Sequence, residues 1–310
     1  MTKVFIDGSA GTTGLRIYER LSSRSDITLI RLSEALRKDT EARREALNES
    51  DISFLCLPDA AAIEAADLVG NPDTVIIDTS TAHRTDDAWA YGFPELYGLR
   101  EKISSSKRIA NPGCHASGFI ALAEPLVRGG IIPKGALLSC FSLTGYSGGG
   151  KKMIADYENE EMKESLEAPR SYALTQKHKH LPEMAKVCSL ETPPLFCPIV
   201  SSYYSGMEVV IQLFEEQICG NIDTIKDVYK SYYKNGLVKF EENADEAGFM
   251  SAGAFSGRDD MQISVFGEGG RITLVSRFDN LGKGASGAAI QNMNIIMGCD
   301  ETTGLVVGGK

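Results

Sequence analysis

The sequence lacks three features, and each absence excludes a class of protein. Its seven cysteines include no CxxC pair and follow no regular spacing, which argues against a disulfide framework and a structural zinc site. No stretch approaches the roughly 18 to 20 uninterrupted apolar residues that a membrane span needs. Positive charge is also in deficit, with 32 Lys and Arg against 42 Asp and Glu, so nucleic acid is not an expected partner.

The composition that is present is typical of a globular protein with two domains. The chain has 310 residues, of which 43% are hydrophobic, and this is enough to bury two substantial cores. Its first residues enter a strand pattern directly, without the apolar core of a signal peptide. Together with the unpaired cysteine pattern, this predicts a protein of the reducing cytoplasm.

A glycine-rich turn near the N terminus predicts a dinucleotide-binding domain. Residues 3–7 read as a buried strand, and Gly8, Gly11 and Gly14 lead from it into an amphipathic helix. The spacing differs from the commoner GxGxxG. Each glycine still has a use, because Gly8 permits the tight turn, Gly11 lets backbone approach a pyrophosphate, and Gly14 lets helix and strand approach closely.

The residues around this turn and after the next strand favour NADP over NAD. Thr12 and Thr13 are expected to add hydroxyl donors at the helix N terminus. An NAD site usually has Asp or Glu at the end of the second strand, whereas this sequence has Ser33 and Arg37, which suit a 2′-phosphate. The alternative is that the Arg and Lys residues of this region form the solvated face of a helix.

Further alternation of strands and helices indicates a doubly wound parallel sheet. Apolar strand patterns at 51–57 and 74–78 flank an Ala-rich helix pattern at 60–69. Arg84 follows the carboxyl end of the second of these strands, where ligands of such sheets bind. Its guanidinium is a candidate clamp for a carboxylate or phosphate, although a surface Arg in a polar loop is an equal alternative.

The segment Asn111-Pro112-Gly113-Cys114 places a thiol at the predicted start of a helix. Pro112 restricts the backbone and Gly113 permits unusual conformations, so the thiol can be held in a defined position. Unpaired N–H groups at a helix N terminus favour thiolate, and Cys114 is therefore a candidate nucleophile. The alternative is a cysteine that is simply buried in the core.

Two later segments carry further candidates. The loop of residues 145–152 begins like a P-loop, but Lys152 stands where Mg²⁺ needs Ser or Thr, so Ser147 and Gly148 are expected to hold a phosphoryl group or an oxyanion instead. His178 and His180 have no convincing third metal ligand, so no metal is predicted. Either histidine suits a general acid or base beside a cysteine.

The second half of the chain reads as an α+β domain with a mostly antiparallel sheet, because several strand patterns follow with few helices between them. The helical pattern at 284–297 is expected to return to the nucleotide-binding domain. We therefore predict an NADP-binding domain from residues 1–113 and 283–310, and a catalytic, substrate-binding and oligomerisation domain from residues 114–282.

Taken together, these motifs resemble the N-acetyl-gamma-glutamyl-phosphate reductases, in their short form, over nearly the whole chain. The resemblance rests on four segments: Asn111-Pro112-Gly113-Cys114, His178 to Glu183, Ser147 to Gly150, and Lys283-Gly284-Ala285-Ser286-Gly287. It implies a fold like that of glyceraldehyde-3-phosphate and aspartate-semialdehyde dehydrogenases. It also implies NADPH-dependent reduction of N-acetyl-glutamyl 5-phosphate to the semialdehyde in arginine biosynthesis, by a homodimer or homotetramer.

For individual residues, the resemblance implies that Cys114 attacks the acyl phosphate and that His180 is the acid and base. Arg84, Ser147, Gly148 and His178 would hold the substrate. The long form of the family often has an aromatic residue after the cysteine, whereas this sequence has His115, which is a rival base. Aspartate-semialdehyde dehydrogenase and a non-catalytic nucleotide-binding regulator are the alternative functions.

Overall fold

The computed structural model describes residues 1–308, with the backbone alone for Lys163, and the chain divides into two compact units. The first unit comprises Met1–Gly113 and Ala285–Leu305. The second comprises Cys114–Gly284 and the described residues after Leu305. The last two residues of the segment predicted at 283–310 lie outside the described part of the chain.

A six-stranded sheet forms the centre of the first unit, in the order β2-β1-β3-β4-β6-β5. Every neighbouring pair in it is parallel. Its strands are β1 (Thr2–Asp7), β2 (Ile27–Ile30), β3 (Ile52–Leu55), β4 (Val75–Asp78), β5 (Ala90–Tyr91) and β6 (Arg108–Ala110). Its helices are α1 (Thr12–Leu21), α2 (Thr40–Glu49), α3 (Asp59–Asp67), α4 (Leu99–Ser105) and α10 (Gly287–Met297).

Side chains alternate between the two faces of this sheet and form two separate cores. Val4, Ile6, Phe54 and Ile77 lie in one cluster with residues of α1, α4 and α10. Their neighbours in sequence, among them Phe5 and Leu55, lie in the other cluster with residues of α2 and α3. Helices therefore cover both faces, which confirms the predicted doubly wound sheet.

The second unit is built on a seven-stranded mixed sheet in the order β11-β12-β13-β10-β7-β9-β8. Most of its neighbouring pairs are antiparallel, as predicted. Its strands are β7 (Ser139–Gly145), β8 (Arg170–Ser171), β9 (Leu195–Ser201), β10 (Met207–Phe214), β11 (Val238–Phe240), β12 (Met261–Glu268) and β13 (Arg271–Phe278). Its helices are α5 (Cys114–Arg128), α6 (Gly150–Glu158), α7 (Lys163–Leu166), α8 (Leu181–Val187) and α9 (Ile222–Tyr232).

Helix α5 is the buried element of this unit, and it lies tightly against the sheet. A Cβ atom on Gly118 would come within 2.4 Å of the Val209 side chain, so only glycine permits this approach. From the other side, the Tyr229 and Tyr233 hydroxyls donate to the Leu122 and Ala121 carbonyls at 2.5 and 2.7 Å. This packing holds the helix, and with it Cys114, in one position.

Short helical turns complete the structure, and some of the helices were not predicted. Three 3₁₀ turns cover Tyr146–Gly149, Glu160–Met162 and Glu215–Gln217, and a π-helical turn covers Gly282–Ser286. The sequence pattern did not identify α4 and α6, which are short and have few buried residues. Among the described residues, no helix is both long enough and apolar enough to span a membrane.

Candidate active site

Cys114 is the first residue of α5, and its side chain is partly exposed. The helix starts at the cysteine, as the sequence predicts, because the preceding Pro-Gly turn leads directly into it. Gly284, in the π-helical turn, lies against the cysteine: a Cβ atom at Gly284 would be 2.9 Å from the Cys114 Cβ. π-Helical turns often occur at functional sites, and here the turn brings a residue without a side chain to the thiol.

Three of the four histidines of the chain meet beside this helix terminus, within the second unit. The ring centroids of His115 and His178 are 5.5 Å apart, and those of His178 and His180 are 4.7 Å apart. The His115 and His180 centroids are separated by 5.7 Å. Phe196 closes the cluster, with its ring 5.3 Å from that of His115.

His115 is buried, and both of its ring nitrogens are occupied. Nδ1 lies 2.7 Å from the Ser142 hydroxyl, and Nε2 lies 2.6 Å from the Tyr172 hydroxyl. Burial, reinforced by His178, lowers the pKa of His115 to about 3. The imidazole is therefore neutral at physiological pH, and it has no nitrogen available to accept a proton from Cys114.

His178 and His180 differ in exposure and in hydrogen bonding. His178 is half-buried, and its Nδ1 accepts the backbone N–H of His180 at 3.2 Å. Burial, and next Lys179, lower the pKa of His178 to about 4, so the ring is neutral with its proton on Nε2. His180 is buried and immediately precedes α8, while Glu183 is buried in the first turn of that helix.

Tyr172 and Ser142 belong to this cluster, and the sequence reasoning did not find them. Tyr172 follows β8, and its backbone N–H donates to the Pro198 carbonyl on β9 at 3.0 Å. Ser142 lies on β7 and is completely buried. A two-residue strand is too short to show periodicity, and a single serine on a buried strand belongs to no recognisable motif. No local sequence signal therefore marked either residue.

Ser147 and Gly148 occupy the 3₁₀ turn after β7. The backbone N–H groups of Tyr146 and Ser147 donate to the Tyr203 and Tyr204 carbonyls, each at 3.0 Å. The Ser147 hydroxyl is buried and accepts a hydrogen bond from Asn280 Nδ2 at 3.0 Å. The N–H of Ser147 is thus engaged within the chain, whereas the sequence predicts that Ser147 and Gly148 hold a phosphoryl group or an oxyanion.

Arg84 lies in the first unit and is buried by the loop after β4. Its Nε donates to the Asn111 carbonyl at 2.9 Å, and one terminal nitrogen donates to the Thr79 carbonyl at 2.8 Å. The guanidinium therefore supports the backbone of Asn111, three residues before Cys114. The sequence had indicated an anion clamp at this position.

The first unit contains a cavity of about 550 Å³ at the carboxyl end of β1. Gly8 and its neighbours Ser9 and Ala10 line it, together with apolar residues of β2 and Leu57. Gly8 has a φ of +87°, and a Cβ atom there would lie 2.2 Å from the Cys56 carbonyl oxygen, so the turn requires glycine. Gly14 is equally restricted, since its Cβ would lie 2.4 Å from the Gly8 carbonyl oxygen.

Four basic residues line the same cavity: Arg31, Arg37, Lys38 and Arg43. Arg43 is buried, and its Nε donates to the Asp7 carboxylate at 3.0 Å. Burial raises the pKa of Asp7, while the charge of Arg43 opposes the rise. The sequence alone does not distinguish Arg43 from the solvated cations of this region, because the α2 pattern does not show which of them point inward.

The other predicted cofactor residues lie nearby but are not among the residues that line the cavity. Thr12, Thr13 and Gly14 form the first turn of α1, and Gly11 precedes it, with its N–H donating to the Gly8 carbonyl at 2.9 Å. Ser33 is exposed and starts the turn that carries Arg37. Among residues 1–308, no group of three or more His, Cys, Asp or Glu side chains is arranged to hold a metal ion.

Two family models match separate parts of the chain. Residues 32–106 match the family described as "Semialdehyde dehydrogenase, NAD binding domain". Residues 114–280 match the family described as "Semialdehyde dehydrogenase, dimerisation domain". The second match begins at Cys114, which is also the first residue of α5.

Among curated proteins, N-acetyl-gamma-glutamyl-phosphate reductase 2 of a Nostoc species is 42% identical, over 98% of this chain and 99% of the relative. The enzyme of that name from Brucella anthropi is 44% identical, over 96% and 98%. Among solved structures, aspartate semialdehyde dehydrogenase II of Vibrio cholerae superposes with a TM-score of 0.72 at 15% identity, covering 96% of this chain and 98% of the other. At that identity, the structural likeness concerns the fold alone.

Proposed function

This chain belongs to the N-acetyl-gamma-glutamyl-phosphate reductase family, and we propose that it reduces N-acetyl-glutamyl 5-phosphate to the 5-semialdehyde in arginine biosynthesis. The observation that carries the proposal is the position of Cys114: a partly exposed thiol at a helix N terminus, followed directly by a residue of the three-histidine cluster. Covalent catalysis by a cysteine needs a proton carrier near the nucleophile, and within this cluster we assign that part to His180.

NADP fits the cavity at the end of β1. Backbone at Gly8 can approach a pyrophosphate because this position holds no side chain, and the cations Arg31, Arg37 and Lys38 supply charge for a 2′-phosphate. When bound as NADPH, the cofactor supplies a hydride. We assign Gly8, Gly11 and Gly14 to the pyrophosphate turn, Thr12 and Thr13 to hydroxyl contacts, and Ser33 and Arg37 to the 2′-phosphate.

We assign the covalent step to Cys114. Its sulfur forms a bond to the acyl carbon, the carbon–oxygen bond to phosphate breaks, and inorganic phosphate leaves with the electron pair. The thioester then accepts two electrons as hydride at the same carbon and becomes a thiohemiacetal. Cleavage of the carbon–sulfur bond releases the aldehyde and restores the thiolate. A thioester accepts hydride far more readily than a carboxylate, which is the gain from the covalent route.

We assign proton transfer to His180 and substrate binding to His178. The half-exposed His178 ring is neutral and donates through Nε2, which suits a hydrogen bond to a substrate carbonyl or carboxylate. His180 then protonates the thiohemiacetal oxygen and removes that proton when the aldehyde forms. Arg84, Ser147 and Gly148 remain predictions for the anionic groups of the substrate.

The reverse reaction tests the proposal, since the protein with NADP and phosphate should oxidise N-acetylglutamate semialdehyde and increase the absorbance of reduced cofactor. Aspartate semialdehyde in the same assay tests the nearest alternative, and we expect it to react at least about a hundredfold more slowly because the pocket must hold a longer acylated chain. Preference for aspartate semialdehyde would overturn the substrate assignment. No turnover with either aldehyde would support a non-catalytic regulator.

Three further variants test the assigned groups. Cys114→Ala should abolish turnover while NADPH still binds with unchanged affinity, measured by cofactor fluorescence; appreciable residual reduction would exclude the thioester. His178→Asn should raise the KM of the aldehyde, whereas His180→Asn should lower kcat, by about 10² to 10⁴-fold for loss of an acid and base. The opposite pattern would exchange the two roles.

We also propose that two copies associate through one face of the seven-stranded sheet. Phe141, Cys197 and Val210 are paired across neighbouring strands and line a shallow cavity of about 310 Å³ on that face, beside Leu195, which is 68% exposed. The match of residues 114–280 to a dimerisation domain supports a second copy as the occupant. Leu195→Glu should halve the mass measured by light scattering; an unchanged mass would place the interface elsewhere.

For cellular location we propose the cytoplasm. None of the seven cysteines, all of which lie in the described part of the chain, forms a disulfide, as expected in a reducing compartment. Detection of the native protein outside the cytosolic fraction after gentle lysis would overturn this.

A further inference from the structure

The Tyr172 hydroxyl is a polar group of the histidine cluster that has no role in the thioester chemistry proposed above. Its only hydrogen-bond partner among the described residues is His115 Nε2, at 2.6 Å. Burial, and next the negative charge of the Cys114 thiolate, raise the pKa of Tyr172 above its ordinary value. The hydroxyl thus keeps its proton at neutral pH, and its hydrogen bond joins it to the residue that directly follows Cys114.

We propose that Tyr172 is a further catalytic residue of the reductase, donating a hydrogen bond to the acyl oxygen on Cys114, and that His115 is the residue that positions it. The inference rests on the proposed thioester chemistry. It assigns no proton transfer to Tyr172, because His180 supplies the proton. Tyr172 stabilises the negative charge that develops on the oxygen when sulfur or hydride adds to the carbonyl carbon.

The surroundings of Ser142 determine the tautomer of His115. Ser142 is completely buried, and among the described residues its hydroxyl has His115 Nδ1 as its hydrogen-bond partner, at 2.7 Å. A buried O–H that does not donate costs roughly 1–3 kcal/mol. The Ser142 hydroxyl therefore donates to Nδ1, and the single proton of the neutral imidazole is on Nε2.

This tautomer makes the Tyr172 oxygen a hydrogen-bond acceptor. Because Nε2–H donates to the Tyr172 oxygen, the tyrosine acts as acceptor in that bond, and its own O–H stays available to donate elsewhere. Side chain and backbone together hold it in place, since the Tyr172 N–H is bonded to the Pro198 carbonyl on β9. The chain Ser142 to His115 to Tyr172 thus holds one oriented donor on the residue that directly follows Cys114.

His115 is excluded as the general base by the same geometry. Both of its nitrogens are occupied, and burial lowers its pKa to about 3. A histidine directly after the nucleophile therefore acts through Tyr172, as a positioning residue and not as a proton carrier.

Tyr172→Phe and Tyr97→Phe test the donor, with the exposed Tyr97 as the control for loss of a hydroxyl. We expect Tyr172→Phe to lower kcat by about 10² to 10³-fold, as for removal of one oxyanion donor, with the KM of the semialdehyde changed less than about threefold. Alkylation of Cys114 by iodoacetamide, which develops no oxyanion, should keep its wild-type rate. Tyr97→Phe should match the wild type in all three measurements.

His115→Leu and His115→Gln test the positioning role. His115→Leu should reproduce the kcat loss of Tyr172→Phe, and the double variant should add nothing further. His115→Gln has an amide N–H in place of Nε2–H. Its kcat should therefore exceed that of His115→Leu by about tenfold or more, which corresponds to one hydrogen bond.

Each other outcome overturns the inference. If the kcat of Tyr172→Phe stays within threefold of wild type, Tyr172 is not a catalytic residue. If the alkylation rate of Cys114 falls in parallel with kcat, the role of Tyr172 is structural. Equal activity of the Leu and Gln variants removes the positioning role of His115. Failure of the wild-type protein to oxidise N-acetylglutamate semialdehyde would instead overturn the proposed function, so the two failures are distinguishable.

Discussion

Gly284 lies directly against Cys114: a Cβ atom on the glycine would be 2.9 Å from the Cβ of the cysteine and 3.2 Å from the Asp279 carbonyl oxygen. Neither neighbour can move away easily, because Cys114 is held by α5 and the second contact is backbone. The absence of a side chain at Gly284 therefore determines where the nucleophile sits.

Gly284→Ala should displace Cys114 and lower kcat by at least about tenfold, since misplacement of a reacting group by as little as 1 Å can cost a hundredfold in rate. Overpacking should also lower the free energy of unfolding by about 1–3 kcal/mol. Gly253→Ala is the control, because the nearest atom to its Cβ, Ser251 Oγ, is 3.7 Å away. Steady-state rates and urea unfolding of both variants measure the difference; equal rates would show that the contact is tolerated.

Arg43→Ala should raise the KM for NADPH by about tenfold and leave the KM for NADH nearly unchanged. The substitution removes a cation from the cavity and leaves the Asp7 carboxylate there without its partner, which disfavours a 2′-phosphate. Arg44→Ala on the same helix is the matched control, because that side chain is exposed and faces Glu41 at 3.4 Å. A similar change with both cofactors would argue that Arg43 supports the fold alone.

Arg84→Lys separates the two roles available to this arginine. Lysine cannot donate to the Asn111 and Thr79 carbonyls in the same geometry, so loss of the buried hydrogen bonds should lower the free energy of unfolding by about 1–3 kcal/mol. If the guanidinium also binds the substrate, the KM of the semialdehyde should rise by tenfold or more. Unfolding curves and steady-state kinetics on the same preparation distinguish support of the backbone from substrate binding.

His115→Gln should make the protein less sensitive to acid. The pKa of His115 is about 3 in the folded protein and about 6.5 when unfolded, so below pH 6.5 the unfolded chain binds a proton that the folded chain does not. The neutral His115 therefore contributes to the free energy of unfolding at neutral pH, and this contribution is lost as the pH falls. The loss is about 2 kcal/mol between pH 6.5 and pH 5. Urea unfolding at both values should show a smaller loss for the variant, and equal losses would contradict the buried neutral state.

Periodicity and turn chemistry were sufficient to predict the framework of this protein. The alternating apolar patterns identified β1, β3 and β4, and the Gly8 to Gly14 spacing identified the turn into α1, because these features depend on neighbouring residues alone. The same holds for Cys114, because the Pro-Gly turn before it predicts the start of a helix. The apolar pattern of residues 195–201 likewise predicts a strand, and β9 covers Leu195–Ser201.

Tertiary structure decided which side chains meet. Tyr172 reaches His115 only because β8 pairs with β9, and Gly284 reaches Cys114 only through the π-helical turn, 170 residues further along the chain. The inward direction of Arg43 and the outward direction of Arg44 likewise depend on how α2 lies on the sheet. Local propensities act between near neighbours in sequence, whereas burial and hydrogen bonding at this site join residues that only the complete fold brings together.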